Sequence, residues 1–394
     1  MKLFTKKALN VLAVSALSIG MLAGCGGGGA DKAANKPADS KDGQAGGEKV
    51  AKIGVISYLT GGGSAYGEAI TNGLKLAQDE LNEKNKGKLK LDLAIEDSAG
   101  KKDQAIAAAN KLINNDKVVG IIGPTLSGEM FAVGPIANQN GVPIMGTSTT
   151  AEGITDIGEY VFRNALPESL AIPAAVKTAV QKNNVKKVAL MYASNDDFAV
   201  SGYKTMEKTV KEMGLEVLDT QTFADGDSDF SAQLTSVAAK KPDAILVSSL
   251  YKEGGLILSK AREMGIKAPF IGGNGFNSPQ LIKQAGAAAD DSYVGTPWYP
   301  GGTEKADTFV KKYTEKFGKS PDQFAAQAYD ALYIYSQALL AAGKTDDRDA
   351  FKDALAKLSD FEGVTGKFKF DQKHDPVMDV KVLHIEGGQF KLVK

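Results

Sequence analysis

The sequence is poor in the residues on which metal sites and many enzymes depend. Its 394 residues include one cysteine, two histidines and one tryptophan. A lone cysteine cannot form an intramolecular disulfide, so the chain must rely on a hydrophobic core. The histidines, His374 and His384, have no companion at metal-ligand spacing. There is also no complete phosphate loop and no nucleophile elbow. We therefore expect no catalysis, no cofactor and no metal.

The chain also lacks an excess of charge of one sign. Lys and Arg together number 47, and so do Asp and Glu. Without a basic surplus, binding to nucleic acid is not expected. Beyond the N-terminal segment there is no second apolar run of membrane-spanning length. The sequence therefore predicts an exported, soluble body of about two domains.

The N-terminal segment has the order of an export signal. Lys2, Lys6 and Lys7 precede an apolar stretch, Ala8 to Met21, and small residues lead to Cys25. Leu-Ala-Gly-Cys resembles the bacterial lipobox, and this resemblance implies cleavage before Cys25 and lipid attachment to its sulfur. The alternatives are an ordinary signal peptide or a small buried cysteine.

The residues after Cys25 are typical of a tether. From 26 to 48 there is no aliphatic residue larger than alanine and no aromatic residue. Such a segment buries too little apolar surface to offset its ordering entropy, so we expect a flexible linker. The signal peptide is predicted at 1–24 and the linker at 25–49.

Short apolar runs then alternate with helical patterns in two series, which predicts an α/β fold with two Rossmann-like lobes around parallel sheets. Val118 to Ile122 is continuously apolar, as expected for a parallel strand that is covered on both faces. Three helices and three strands are predicted after residue 302, and this tail is expected to complete both lobes.

Hydroxyl side chains cluster just after two predicted strands. Ser127 lies where a helix opens, and Ser148, Thr149 and Thr150 follow the next strand. Ligands of open α/β sheets bind outside the carboxyl ends of the strands. Helix-start amides and hydroxyls can hold a carboxylate without Lys or Arg. The alternative is that these residues are helix caps.

These features, taken in order along the chain, resemble the extracytoplasmic binding proteins of branched-chain amino acid ABC transporters. The resemblance runs from Lys52 to the C-terminus and is strongest through Pro167. It rests on the lipobox, the tether and the following stretches: KIGVISYLTGGGSAYGEAITNGLKLAQDELN, EDSAGKKDQAIAAANKLI, VVGIIGPTLSGEMFAVGPIANQNGVPIMGTSTT and VFRNALPESL.

The resemblance implies the type I periplasmic binding protein fold, with two lobes joined by three hinge strands. We expect lobe I at 50–165 and 299–372, and lobe II at 166–298 and 373–394. Closure of the lobes around a small amino acid would create the form that docks on a membrane permease driven by an ATPase. A lipid-anchored monomer is expected.

The resemblance also assigns site residues. Ser127 matches the family's carboxylate-binding serine, Ser148 and Thr149 match small residues lining the site, and Thr150 matches a threonine that contacts the ligand. The aromatic residues that match the cleft walls are Tyr66, Phe198 and, less closely, Tyr251. Trp298 is expected to pack near the hinge.

One position departs from the family. Asn274 in FIGGNGF stands where an acid commonly pairs with the ligand ammonium. An amide oxygen accepts a hydrogen bond but cannot neutralise a charge. Either another acid serves, with Asp196 and Asp197 as candidates, or the ligand is an amide, a urea-like compound or an organic acid. Other classes of function remain open: a sensor using the same cleft, or an enzyme with Ser127 as nucleophile, which lacks a nearby base.

Overall fold

The computed structural model describes residues 48–393 of the chain. The predicted signal peptide, Cys25 and almost all of the predicted linker lie outside these residues. No helix within residues 48–393 combines the length and the apolar character that a bilayer crossing requires.

The first part of the described chain forms a five-stranded sheet. Its strands are β1 (Lys49–Ser57), β2 (Leu89–Asp97), β3 (Gly120–Ile122), β4 (Ile144–Gly146) and β5 (Val161–Arg163). Its helices are α1 (Ser64–Lys84), α2 (Lys102–Asn114) and α3 (Ser127–Gln139). All neighbouring strands are parallel, in the spatial order β2-β1-β3-β4-β5. Their carboxyl ends therefore meet at one edge of the sheet.

A second series of alternating elements follows. Its helices are α4 (Glu168–Asn183), α5 (Asp197–Glu212), α6 (Ser231–Lys240), α7 (Tyr251–Glu263) and α8 (Pro279–Ala285). Its strands are β6 (Lys187–Ala193), β7 (Glu216–Phe223), β8 (Ala244–Ser248), β9 (Phe270–Gly272) and β10 (Ser292–Thr296). Each neighbouring pair of these strands is parallel.

The tail returns to both sheets. Its helices are α9 (Glu304–Phe317), α10 (Gln323–Ala342) and α11 (Arg348–Ala356). Its strands are β11 (Phe361–Gly363), β12 (Gly366–Phe370), β13 (Pro376–Val377), β14 (Lys381–Glu386) and β15 (Gln389–Leu392). The helix α10 packs against α1 and β3, while β14 and β15 extend the second sheet, in the order β15-β14-β10-β9-β8-β6-β7. The strands β11, β12 and β13 form a small antiparallel sheet.

The predicted α/β fold with two parallel-strand series is confirmed. The apolar patterns of the sequence do not indicate β5, β10 or α8, and the apolar periodicity of α4 and α5 begins after their first residues. VFR in β5 and SYVGT in β10 both lack a long apolar run. The helices α4 and α5 start with polar or proline-flanked residues that break the apolar periodicity. The boundaries of the two lobes remain a prediction.

Candidate functional site

Four loops converge between the two sheets. Ser127 follows β3 and opens α3, and Ser148 follows β4. Leu250 and Asn274 follow β8 and β9 in the second sheet. All four residues line one cavity. The carboxyl ends of the two sheets therefore face each other across a shared space, which is where the rule for open α/β sheets places a ligand.

The cavity is small and lacks charged side chains. Its solvent-accessible volume is ≈ 20 Å³, far below the ~300–1,000 Å³ of small-molecule sites. Its lining residues are Tyr66, Thr125, Leu126, Ser127, Ser148, Phe198, Leu250, Asn274, Gly275 and Phe324. The space holds about one water molecule as it stands, so a ligand can enter only if the walls move apart. It would then meet hydroxyls and amides as polar contacts, and aromatic and leucine side chains as apolar contacts.

The polar wall is built on the start of α3. Ser127 is the first residue of the helix, and its Oγ accepts the N–H of Ala151 at 3.3 Å. Ser148 Oγ donates to the carbonyl oxygen of Thr125 at 2.6 Å, which fixes the two loops together. The N-terminal end of a helix carries partial positive charge, so this wall suits a carboxylate.

Glu129 lies in the first turn of the same helix. Its Oε2 accepts the N–H of Leu126 at 2.9 Å, and the Ser98 hydroxyl faces the same carboxyl group. Burial raises the pKa of Glu129 to about 7. Partial protonation at neutral pH lessens its repulsion of an anion bound at the start of α3.

Thr149 and Thr150 are not among the residues that line the cavity. Both are buried, the Thr149 hydroxyl has no hydrogen-bond partner, and the Thr150 hydroxyl faces the carboxyl group of Glu168. The carbonyl of Thr149 accepts from Nη1 of Arg163 at 3.2 Å, and Arg163 is held by Asp375 through two hydrogen bonds. Thr149 and Thr150 were predicted as ligand-binding residues, and neither lines the cavity in this structure.

Three predicted aromatic residues stand around the cavity. Phe198, near the start of α5, lines it from the second sheet, and Tyr66 lines it from α1. Tyr251 is not in the lining; its hydroxyl donates to the carbonyl of Gly62 at 2.7 Å and its ring lies edge-on to Tyr66. Tyr251 therefore covers the mouth of the cleft. Trp298 packs on Phe309, away from the cavity.

Asn274 lines the cavity, but its amide oxygen is already engaged. It accepts a hydrogen bond from Nε2 of Gln323. The Oε1 of Gln323 accepts from Asn277 Nδ2 at 2.8 Å and from the Thr296 hydroxyl at 3.0 Å. This network turns the oxygen of Asn274 toward Gln323 and uses one of its two acceptor lone pairs.

The two acids suggested as substitutes are also committed elsewhere. Asp196 Oδ1 accepts the N–H of Ala199 at 2.7 Å and so caps α5, and burial raises the pKa of Asp196 to about 6. Asp197 forms a half-exposed ion pair with Lys102 at 2.6 Å. Neither acid lines the cavity.

Sequence reasoning missed several residues of the site. Thr125, Leu126 and Gly275 belong to the loops that it identified, so proximity along the chain was a usable signal. Leu250 lies after β8, directly before α7, and its sequence continues the apolar run of that strand. Phe324 comes from α10 in the tail, and nothing in its local sequence marks it as a cavity residue.

A larger groove lies elsewhere. It has a solvent-accessible volume of ≈ 650 Å³ and is formed by α1, α9, α10 and the β11 segment. Its rim carries charged residues, including Lys84, Glu304 and Lys305. It is a groove that is open at the surface, and none of its lining residues belongs to the seven-stranded sheet. The two sheets therefore do not enclose it.

The fold has two parallel-stranded units, and the loops at their strand ends enclose one small cavity. This arrangement defines a bilobal solute-binding protein. Residues 50–389 match the family described as Periplasmic binding protein, and the chain belongs to this family. Its members bind solutes for ABC transporters and are not enzymes, so the expectation of a non-catalytic protein is confirmed.

Individual relatives agree with the predicted resemblance. The Leu/Ile/Val-binding protein BraC3 of Rhizobium johnstonii is 27% identical over 332 residues, covering 82% of this chain and 88% of that protein. The leucine binding protein LivK of Thermotoga maritima superposes with a TM-score of 0.82 at 29% identity, covering 87% and 98% of the two chains. LivJ of Streptococcus pneumoniae, solved with isoleucine, gives 0.81 at 33% identity and covers 88% and 99%.

Proposed function

We propose that the protein is an extracytoplasmic lipoprotein that captures a small amino acid, branched-chain or otherwise hydrophobic, and delivers it to an ABC importer. The observation that carries this proposal is the cavity itself. One wall offers hydroxyls and a helix start, and the other offers Phe198, Leu250 and Phe324. Relatives that are named for binding leucine, isoleucine and valine support the same ligand class.

In this proposal the ligand carboxylate binds at the start of α3, with Ser127 and Ser148 as the hydroxyl contacts. The aliphatic side chain lies against Phe198 and Phe324, where burial of a leucine-sized group contributes about 1.5–3 kcal/mol. Tyr66 and Tyr251 close the mouth. Thr149 and Thr150 support the loop from behind, and Asn274 adds an amide contact.

Delivery requires that the closed form be distinguishable from the open form. Contacts such as Tyr251–Gly62 and Lys102–Asp197 join the elements of the two sheets, and separation of the two sheets would break them. A ligand that adds contacts to both sides shifts the population toward that form. The permease then docks the closed monomer, which the lipid on Cys25 and its tether keep beside the membrane.

A second ligand class has one specific observation in its favour. Asn274 carries no charge, and Gln323 engages its oxygen. A ligand without an ammonium group, such as a short amide, a urea-like compound or an organic acid, needs no acid at that position. A sensor that passes the signal to a membrane receptor would use the same cavity.

A thermal-shift screen of the purified protein separates these classes. At about 100 times its dissociation constant, a ligand stabilises the folded state by about 2.7 kcal/mol. We expect leucine, isoleucine or valine to raise the melting temperature, and acetamide, urea and benzoate to leave it unchanged. If only the uncharged amides or benzoate raise the melting temperature, an amino acid ligand is refuted and the second ligand class is favoured.

A further inference from the structure

We propose that Glu168 supplies the negative charge that balances the ammonium group of the bound ligand, in place of an acid at position 274. This inference rests on the proposed function, because it requires a ligand that carries an ammonium group. Glu168 was not identified from the sequence, where it is simply an acid in the first turn of a helix after Pro167.

The position of Glu168 connects both sides of the cleft. Its Oε1 accepts the N–H of Asn274, a lining residue, at 2.7 Å. Its own N–H donates to the carbonyl of Thr150 at 3.1 Å, in the loop that also carries Ser148. A Cβ atom on Gly273 would lie 2.8 Å from Oε1, so the carboxyl group sits directly under the Gly273–Asn274 backbone.

The carboxyl group of Glu168 has only uncharged hydrogen-bond partners. Glu168 is 1% exposed, and the N–H of Asn274 and the hydroxyl of Thr150 face its carboxyl group. The neighbouring Thr149 hydroxyl is buried without a hydrogen-bond partner. Buried polar atoms normally have a partner, so this hydroxyl marks a polar site beside the cavity lining that the protein alone leaves incomplete.

Glu168 also lacks a counter-charge. Among residues 48–393, no lysine, arginine or histidine forms an ion pair with it. An unpaired buried carboxylate is costly, and burial raises the pKa of Glu168 to about 7. An ammonium group bound on the other side of the Asn274 peptide supplies the missing positive charge. Its attraction to the carboxylate is strengthened because the buried surroundings have a low dielectric constant.

The other acids and acceptors near the cleft are less suitable. Asp196 caps α5, Asp197 pairs with Lys102, and Gln323 engages the Asn274 oxygen. Glu168 acts through the Asn274 peptide that it holds, and so it is a positioning and charge-balancing residue.

The test must separate this electrostatic role from a purely structural one. A carboxylate in the first turn of α4 also stabilises the helix and holds the Asn274 loop. Losing that support would weaken every ligand equally. The informative quantity is therefore the ratio of affinities for leucine and for 4-methylpentanoate, which has the same carbon skeleton without the amino group.

Isothermal titration of the purified protein and of Glu168→Gln with both ligands gives this ratio. Removing one member of a buried charge pair typically costs about 30-fold or more in affinity. We expect that loss for leucine, with 4-methylpentanoate changed by less than about 3-fold. Glu253→Gln, a buried acid that accepts from the Gly226 N–H, is the matched control and should keep the wild-type ratio.

Glu168→Asp provides a second measurement that does not depend on the folding of the glutamine variant. It keeps the charge, so it should retain a preference for leucine. An equal loss of both ligands, or an unchanged ratio in Glu168→Gln, would overturn the inference while leaving the proposed function intact. A wild-type protein that binds neither leucine, isoleucine nor valine would refute the proposed function itself, and this inference with it.

Discussion

The hydroxyl group of Tyr66 joins the two sides of the cleft. It donates to the carbonyl oxygen of Gly275 at 2.7 Å and accepts the backbone N–H of Tyr251 at 2.8 Å. Tyr66 comes from α1 beside the first sheet, whereas Gly275 and Tyr251 lie in loops of the second sheet. The ring is almost fully buried, so both hydrogen bonds are shielded from water. This hydroxyl is therefore a specific tie that holds the cleft shut.

Tyr66→Phe removes that tie without changing the ring. Each lost hydrogen bond is worth about 0.5–1.5 kcal/mol, so the closed form should weaken by about 1–3 kcal/mol and ligand affinity by about 5- to 150-fold. Titration calorimetry measures the affinity, and small-angle scattering should show a more open unliganded protein. Tyr203→Phe, whose hydroxyl donates to Glu207 on the surface of α5, is the control. Unchanged affinity in Tyr66→Phe would show that the tie does not contribute to closure.

Ser127→Ala tests the placement of the ligand carboxylate. A hydrogen bond to a charged group contributes about 1.5–3 kcal/mol, so affinity should fall about tenfold or more. The fold should survive, because the serine accepts only one long internal hydrogen bond, at 3.3 Å from Ala151. The exposed Ser359→Ala serves as the control. If Ser127→Ala binds as tightly as the wild type, the carboxylate lies elsewhere.

The packing of α1 on α10 depends on a glycine. A Cβ atom at Gly73 would lie 2.2 Å from the carbonyl oxygen of Ala325, a contact that backbone atoms cannot relieve by rotation. Gly73→Ala should therefore destabilise the protein by about 1–3 kcal/mol in denaturant unfolding. Gly302→Ala, whose Cβ would meet only the Tyr299 carbonyl at 3.4 Å, should have little effect. Equal stabilities for the two variants would contradict the close packing.

Several buried acids predict an unusual dependence of stability on pH. Burial raises the pKa of Glu129 and Glu168 to about 7, and that of Asp196, Asp322 and Asp330 to about 6. These folded-state values lie above the unfolded ones, so the folded protein binds more protons between pH 4.5 and 7. Stability should therefore rise as the pH falls through this window.

Denaturant unfolding of the unliganded protein at pH 7.5 and 5.5 measures this effect. We expect the free energy of unfolding to be higher at pH 5.5 by at least about 1 kcal/mol. Glu129→Gln should reduce the difference, because it removes one of the titrating groups. A lower stability at pH 5.5 would show that these carboxyl groups ionise normally in the folded protein.

The sequence predicted the fold because local patterns determine it. Short apolar runs alternating with helical stripes specify parallel strands and crossover helices, and the buried β3 and β8 match that expectation. Strands without such a run were not predicted: β5 and β10 form by pairing with their neighbours in the sheets. Pairing with a neighbouring strand therefore determines where a strand forms when the local sequence does not indicate one.

The site was predictable from local sequence where its residues follow neighbouring strands of one parallel sheet. Ser127 and Ser148 follow neighbouring strands, so their proximity follows from the order of a parallel sheet. Phe324 and Glu168 reach the cleft region from a distant helix and from a helix start. Their placement depends on how the tail and α4 pack, and no local motif encodes that packing. The engagement of Asn274 by Gln323 likewise joins residues 49 positions apart.

The central claim is that a small carboxylate-bearing ligand occupies the cavity between the strand-end loops. A crystal structure of the purified protein grown with leucine tests it most directly. We expect the ligand carboxylate within hydrogen-bond distance of Ser127 Oγ and the start of α3, with the aliphatic chain against Phe198 and Phe324. Leucine bound outside this cavity, or bound there with its carboxylate away from the Ser127 loop, would contradict the account.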